Sequence, residues 1–116
     1  MARALVMDDE APIRDLLRDF LETRGHEVIE AVNGEEGLRL YQEDPTDIVI
    51  TDIYMPGLNG LEVIQHLRRD HPASKIILIA AEFPPDSEDV GADRVFGKPF
   101  ELVKVLEAVE ELLGEG

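Results

Sequence analysis

Short apolar runs alternate with amphipathic stretches along the whole chain. The apolar runs are rich in Val, Ile and Leu, and uninterrupted runs of this kind are typical of parallel strands covered on both faces. Five of them predict strands over Arg3–Met7, His26–Ala31, Asp47–Thr51, Lys75–Ala80 and Asp93–Gly97.

Four further stretches repeat apolar residues with the 3.6-residue period of an amphipathic helix. Pro12 suits the first turn of the first helix, Gly25 suits the position just after it, and Asn33 suits the N-cap of the second. The periodicity predicts helices over Pro12–Arg24, Gly34–Glu43, Gly60–Asp70 and Glu101–Leu113.

The regular alternation of strand and helix predicts an α/β fold with a parallel sheet and helices on both faces. With 116 residues and no visible linker or repeat, the chain is expected to form a single domain over residues 1–116. The segment Glu82–Val90 interrupts this alternation at the position where a helix is expected. Its adjacent prolines, Pro84 and Pro85, predict a loop or a single turn there.

The net charge of −15 and the absence of cysteine exclude several classes of protein. Without cysteine there is no disulfide framework and no thiolate metal site. A strongly negative field repels phosphate backbones, so direct binding of nucleic acid is not expected. The apolar runs are too short for a signal peptide or a membrane span, and a soluble cytoplasmic protein is expected.

Charged side chains stand at the ends of the predicted strands. Asp8, Asp9 and Glu10 follow the first strand, Asp52 follows the third, and Lys98 follows the fifth. Because the carboxyl ends of parallel strands meet at one edge of the sheet, the three aspartates and Lys98 are expected to converge there. Clustered carboxylate oxygens favour a hard divalent cation, above all Mg²⁺.

Such a cluster is suited to phosphoryl chemistry. The Asp52 carboxylate can act as a nucleophile and form an aspartyl phosphate, and Lys98 can neutralise phosphoryl oxygens. Taken alone, an Asp after a strand is more commonly a cap or turn residue. The combination at three separate strand ends predicts a metal and phosphoryl site.

Four segments of the sequence, which include these charged residues, together resemble the receiver domain of two-component response regulators, and the likeness covers the whole chain. The acidic pair Asp8-Asp9 resembles that of the family, and Asp52–Gly60 (DIYMPGLNG) resembles its acceptor loop. Gly91–Asp93 and Lys98–Phe100 resemble the segments around its fifth strand. The likeness is to a stand-alone, chemotaxis-regulator-like receiver.

The resemblance implies a flavodoxin-like, doubly wound sheet of five parallel strands in the order 2-1-3-4-5. It implies Asp52 as the phospho-acceptor, and Asp9, Asp52 and the backbone carbonyl of Tyr54 as direct Mg²⁺ ligands. It further implies that Asp8 acts through a bound water and that Lys98 pairs with Asp52 and later with the phosphoryl group.

The same resemblance implies how the domain works. A sensor histidine kinase or a phosphotransfer protein supplies the phosphoryl group, and a downstream protein of unknown identity receives the signal through contact. The domain catalyses only its own phosphorylation and dephosphorylation, so it is not an enzyme with a separate substrate. The resemblance also implies a cis peptide bond between Lys98 and Pro99.

Two switch positions depart from the family pattern. Ala80 stands where the family has Thr or Ser, and Val95 stands where it has Tyr or Phe. Phe96 does not replace the aromatic residue, because neighbouring strand residues point to opposite faces. With the fourth helix expected to be shortened or missing, phosphorylation is expected to change the conformation weakly or by another route.

Two other functions stay open on the sequence. One is a phosphorylation-independent, pseudo-receiver binding module, which the two switch positions favour and the intact acidic residues oppose. The other is a Mg²⁺-dependent phosphohydrolase with an aspartyl nucleophile. It requires a general acid near Asp52 and a cap over the substrate; Tyr54 is a poor acid, and no insertion is long enough for a cap.

Overall fold

Five parallel strands form one sheet at the centre of the structure, a computed structural model that describes residues 2–83 and 91–114. The order β2-β1-β3-β4-β5 confirms the flavodoxin-like, doubly wound arrangement. Every neighbouring pair is parallel. The strands are β1 (Arg3–Met7), β2 (Glu27–Ala31), β3 (Ile48–Thr51), β4 (Lys75–Ala80) and β5 (Arg94–Gly97).

Four helices lie among the described residues, and their ends agree with the predicted ones to within one residue. Asn33 caps the second helix as predicted, because its side chain accepts a hydrogen bond from the Glu36 N–H at 2.8 Å. Gly25 follows the first helix with φ of +85°, a conformation that favours glycine. The helices are α1 (Ala11–Thr23), α2 (Gly34–Glu43), α3 (Gly60–Asp70) and α4 (Leu102–Leu113).

Apolar side chains fill both faces of the sheet. Alternate residues of a strand point to opposite faces, so Val49 packs with the α2 and α3 side while Ile48 and Ile50 pack with the α1 and α4 side. All three are at most 1% exposed. Full burial of one such side chain stabilises the fold by about 1.5–3 kcal/mol. The central strands therefore hold their carboxyl ends in fixed positions.

The connection from β4 to β5 is where the sequence predicts a loop in place of a helix. Its described flanks, Ala81–Phe83 and Gly91–Asp93, are not helical. The expected loop in place of a helix falls mainly on residues 84–90, which lie outside the described residues. The fourth helix of the structure, α4, follows β5. Within the described residues no helix is both long and apolar enough to cross a membrane.

Arg68 anchors the chain where it re-enters the sheet. Its guanidinium donates hydrogen bonds to the carbonyls of Gly91 at 2.7 Å and Ser74 at 2.6 Å, and to the Asp93 carboxylate at 2.9 Å. The same carboxylate oxygen accepts the Ile76 N–H at 2.7 Å. These contacts tie the start of β5 to α3 and β4, and β5 carries the chain on to the functional edge.

Candidate functional site

Two buried carboxylates lie side by side at the carboxyl edge of the sheet. Asp8 follows β1 and is 3% exposed, and Asp52 follows β3 and is 6% exposed. The backbone continues the sheet between them, because the Asp52 N–H donates to the Met7 carbonyl at 3.0 Å. Strands β1 and β3 thus bring together two residues that are far apart in sequence, as the strand-end pattern predicts.

The ammonium of Lys98 joins this pair from the end of β5. Its Nζ donates to Asp8 Oδ2 at 3.0 Å, to Asp52 Oδ2 at 3.1 Å and to Glu10 Oε1 at 3.1 Å. The backbone N–H of Lys98 donates to the Ala80 carbonyl at 2.9 Å, which extends the β4–β5 pairing. The bond from Lys98 to Pro99 is cis, as the resemblance implies.

Among the described residues, four carboxylates share this edge with the Lys98 ammonium. Ligand oxygens of Asp8, Asp9, Glu10 and Asp52 lie within 4.8 Å of one another. With every group ionised, four negative charges and the Lys98 ammonium leave a net charge of −3. Like charges held this close repel one another, so the cluster attracts a cation. Its all-oxygen donor set fits a hard divalent ion such as Mg²⁺.

Burial and neighbouring charge shift the pKa values of Asp8 and Lys98. Desolvation raises the pKa of the Asp8 carboxyl above its usual value, and hydrogen bonds from the Glu10 N–H and from Lys98 offset only part of the rise. For Lys98, desolvation lowers the pKa, but the hydrogen bonds to Asp8, Glu10 and Asp52 outweigh it and leave the pKa raised. Lys98 is therefore protonated at neutral pH.

The loop after β3 orients the Asp52 carboxylate. The Ile53 N–H donates to Asp52 Oδ1 at 2.7 Å, which leaves Oδ2 turned towards Lys98. The loop then closes onto α3, because the Gly60 N–H donates to the Ile53 carbonyl at 2.7 Å. Asn59 caps α3, with its side chain accepting from the Glu62 N–H and the Glu62 carboxylate accepting from the Asn59 N–H. The loop is thus fixed at both ends.

We expect Gly60→Ala to destabilise this loop. A Cβ at Gly60 would overlap the Asp52 carbonyl oxygen, so the backbone that carries the Asp52 carboxylate has to shift. We expect a loss of about 1–3 kcal/mol in the free energy of unfolding, measured by urea denaturation. Gly97→Ala is the control, since the nearest atom to a Cβ there is 4.0 Å away. Equal stability of the two variants would contradict this account.

The sequence matches a known protein family over most of its length. The family model described as the response regulator receiver domain matches residues 4–110. The chain belongs to the response regulator receiver family. The expected function, a receiver of two-component signalling, is thereby confirmed.

Two proteins of Thermotoga maritima are similar to this receiver over nearly its whole length. The chemotaxis protein CheY is 36% identical over 115 residues, which cover 95% of this chain and 96% of CheY. The response regulator TrrA, solved in complex with Mg²⁺-BeF, is 40% identical with a TM-score of 0.89, over 97% of this chain and 99% of TrrA. TrrA in complex with the histidine kinase ThkA gives a TM-score of 0.87 at 41% identity.

The two residues predicted to be atypical switch positions lie in different surroundings in this receiver. Ala80 is fully buried at the end of β4 and offers no hydroxyl to the site. Val95 is 51% exposed on β5. Its neighbour Phe96 packs into the α1 and α4 side of the core, so it points to the opposite face as expected. Neither switch position therefore places a polar side chain beside the carboxylates.

The structure brings four of the predicted site residues together and adds one contact that was not predicted. Asp8, Asp52 and Lys98 make direct contact, and Asp9 lies in the same cluster. Tyr54 lies two residues after Asp52, with its side chain 52% exposed. The contact between Glu10 and Lys98 was not predicted. The available signal was the position of Glu10 directly after the acidic pair, at the N-cap of α1.

Proposed function

We propose that this receiver domain accepts a phosphoryl group on Asp52, with Mg²⁺ as cofactor and Lys98 as the cation that receives the phosphoryl oxygens. The observation that carries the proposal is the Lys98 ammonium, which contacts both buried carboxylates within a cluster of four. Oriented positive charge at the point where negative charge arrives is the main requirement of phosphoryl transfer.

The transfer is a displacement at phosphorus. A carboxylate oxygen of Asp52 forms a bond to phosphorus while the bond from phosphorus to the leaving atom of the donor breaks. The Ile53 N–H holds Oδ1, and Lys98 holds Oδ2. Hydrolysis of the acyl phosphate by water returns the Asp52 carboxylate. The domain turns over no separate substrate in this scheme.

Three carboxylates are suited to hold the metal. Asp9 and Asp52 would bind Mg²⁺ directly, together with the Tyr54 carbonyl, and Asp8 would bind through water. The oxygen donors of the cluster, which lie within 4.8 Å of one another, support this assignment. Bound Mg²⁺ supplies positive charge to the phosphoryl oxygens and to the carboxylates. The complex of TrrA with Mg²⁺-BeF supports the same cofactor here.

Asp9→Asn is expected to weaken Mg²⁺ binding at least about tenfold, because it removes a charged ligand. In the wild type, Mg²⁺ is expected to raise the thermal midpoint, since it neutralises clustered like charges. Isothermal titration with Mg²⁺ and thermal melts with and without the ion measure both effects. Asp15→Asn, which also removes one charge but lies on α1 beside Arg18, is the control. Unchanged Mg²⁺ affinity in Asp9→Asn would count against the assigned ligands.

A groove beside Lys98 is suited to a protein phosphodonor. It has a volume of about 420 Å³ and is open to solvent, and its lining includes the apolar side chains of Ile13, Leu16 and Phe100. Leu16 is 46% exposed. A sensor histidine kinase or a phosphotransfer protein that docks here brings its phosphoryl group next to Asp52. The complex of TrrA with the kinase ThkA supports a donor of this kind.

Leu16→Ala is expected to slow transfer from a sensor histidine kinase about fivefold, because truncation removes an anchor from the docking groove. The rate with acetyl phosphate is expected to be unchanged, since a small donor needs no docking surface. Both rates can be followed by Phos-tag electrophoresis with a kinase that phosphorylates the wild type. Val103→Ala, on the exposed surface of α4, is the matched control. Equal slowing with both donors would show that Leu16 does not act through docking.

A second candidate function is a phosphorylation-independent binding module. Two observations favour it: the buried Ala80 has no hydroxyl for a phosphoryl oxygen, and Val95 has no aromatic ring. A hydrogen bond from a hydroxyl at this position to the charged phosphoryl group would stabilise the phosphorylated state by roughly 1.5–3 kcal/mol, and Ala80 cannot make it. Amide NMR spectra with and without Mg²⁺-beryllofluoride separate the candidates. Changes confined to the acidic cluster favour the binding module, and changes that spread over β4 and β5 favour a switching receiver.

Intact-protein mass spectrometry tests the leading proposal directly. The wild type is incubated with Mg²⁺ and acetyl phosphate, and a gain of one phosphoryl group is expected. EDTA is expected to abolish the gain, because the metal is then removed. If neither acetyl phosphate nor a sensor histidine kinase adds a phosphoryl group, the proposal fails and the binding module replaces it.

A further inference from the structure

The hydrogen-bonding capacity of the Lys98 ammonium is fully used. An ammonium has three N–H donors. In this structure they serve three carboxylates, Asp8, Glu10 and Asp52, at distances of 3.0–3.1 Å. A phosphoryl oxygen that binds Lys98 therefore has to replace one of these three acceptors.

The three acceptors are not held equally well. The side chains of Asp8 and Asp52 are 4% and 7% exposed, whereas the Glu10 side chain is 58% exposed. The two aspartates are also held by backbone donors, the Glu10 N–H on Asp8 Oδ1 and the Ile53 N–H on Asp52 Oδ1. The Glu10 side chain makes no hydrogen bond that caps α1. Glu10 is thus the acceptor that leaves most easily.

Glu10 also stands on the open side of the site. Together with Lys98 it lines the groove between α1 and the segment after β5. Asp8 and Asp52 lie deeper, at the ends of the buried strands β1 and β3. When an incoming phosphoryl oxygen replaces Glu10, Lys98 can keep its contacts with the two buried carboxylates until the bond from Asp52 to phosphorus forms.

We propose that the Glu10 carboxylate occupies the third hydrogen-bonding position of Lys98 in the unphosphorylated domain and is displaced from it by the incoming phosphoryl group. Glu10 then competes with the phosphoryl group and sets how readily the site accepts it. This inference rests on the proposed function, in which Lys98 receives the phosphoryl oxygens. Glu10 is a positioning residue that acts through Lys98.

Two substitutions separate loss of the contact from loss of charge. Glu10→Gln removes the charge and weakens the contact, whereas Glu10→Asp keeps the charge but is one methylene shorter and draws back from Lys98. Asp15→Asn removes a charge from α1 at a side chain that is 53% exposed and pairs with Arg18. Each protein is titrated with beryllofluoride at saturating Mg²⁺ by calorimetry, and the rate of phosphorylation by acetyl phosphate is measured alongside.

Both Glu10 variants are expected to bind beryllofluoride about two- to fivefold more tightly than the wild type, as expected for an exposed ion pair that no longer competes. Asp15→Asn is expected to match the wild type. The NMR signal of the Glu10 side-chain carboxyl carbon is expected to move when beryllofluoride binds the wild type, while the signal of Asp15 stays in place.

Other results overturn the inference. If Glu10→Asp binds like the wild type and only Glu10→Gln binds more tightly, charge alone acts and no contact is displaced. If neither variant differs from the wild type, Glu10 does not compete for Lys98. A wild type that takes up neither beryllofluoride nor a phosphoryl group overturns the proposed function together with the inference. In the first two results, by contrast, the wild type still binds beryllofluoride and only the inference fails.

Discussion

Asp52→Asn is expected to reduce the incorporation of a phosphoryl group from acetyl phosphate by at least about 10³-fold. The amide has nearly the same shape as the carboxylate, so the loop held by the Ile53 N–H and Gly60 is preserved. The amide is not a nucleophile at neutral pH, and its nitrogen cannot accept a hydrogen bond from Lys98. Intact-protein mass spectrometry at fixed Mg²⁺ measures the loss.

Controls make this result specific to Asp52. Asp15→Asn is expected to incorporate a phosphoryl group like the wild type, because its exposed side chain on α1 pairs with Arg18. Circular dichroism before and after incubation shows whether each variant is folded. Incorporation into Asp52→Asn at the rate of the wild type would place the acceptor elsewhere, and peptide mapping would identify it.

Lys98→Met is expected to lower the free energy of unfolding by roughly 2–3 kcal/mol at neutral pH without Mg²⁺. The substitution removes the cation that contacts Asp8 and Asp52, whose side chains are 4% and 7% exposed. Methionine fills a similar volume, so the loss reports on charge rather than on a cavity. Urea denaturation measures it, and Lys104→Met on the exposed surface of α4 is the control.

The loss in Lys98→Met is expected to grow as the pH rises. Desolvation already raises the pKa of Asp8 above its usual 3.8, and the contact with Lys98 is one of the factors that hold it down. Without Lys98 the folded protein binds the Asp8 proton more tightly than the unfolded chain does. Stability is therefore retained at pH values below the unfolded pKa and is lost as the pH rises through the raised folded pKa. A loss that shrinks at higher pH would contradict this explanation.

The same substitution is expected to slow phosphorylation. Lys98 supplies the positive charge at the position that the phosphoryl oxygens reach, and methionine supplies none. Mg²⁺ is expected to restore part of the stability of Lys98→Met, because it neutralises the same carboxylates, but not the rate. The two readouts therefore separate the structural contribution of Lys98 from its contribution to transfer.

The acidic cluster shows how far sequence reasoning extends into the site. Asp8 and Asp52 could be placed together because each follows an apolar strand, and parallel strands end at one edge of the sheet. The same logic placed Lys98 at that edge, and the structure confirms its contacts with both aspartates. The position of Glu10 directly after the acidic pair indicates that it lies near the site, but its contact with Lys98 depends on the direction in which α1 leaves β1.

The helices and strands themselves were nearly all determined by the sequence. Their limits agree to within one residue, because local signals such as the apolar period, the Asn33 cap and Gly25 act over a few neighbouring residues. The atypical switch positions could also be proposed from the sequence, since Ala80 and Val95 need only be aligned with a motif, and they stay a prediction. The loop expected before β5 falls mainly on residues 84–90, outside the described residues, and stays a prediction.

The sequence alone thus determined the α/β fold and the residues that gather at its carboxyl edge. The apolar periodicity and the charged residues that follow each strand are local features, and both can be recognised in short stretches of sequence. Only the tertiary structure decided which carboxylates are buried, which oxygens face Lys98, and that three acceptors share its three donors. Those properties depend on distances between residues as far apart as Asp8 and Lys98, which are set by the packing of the whole sheet and not by any local pattern.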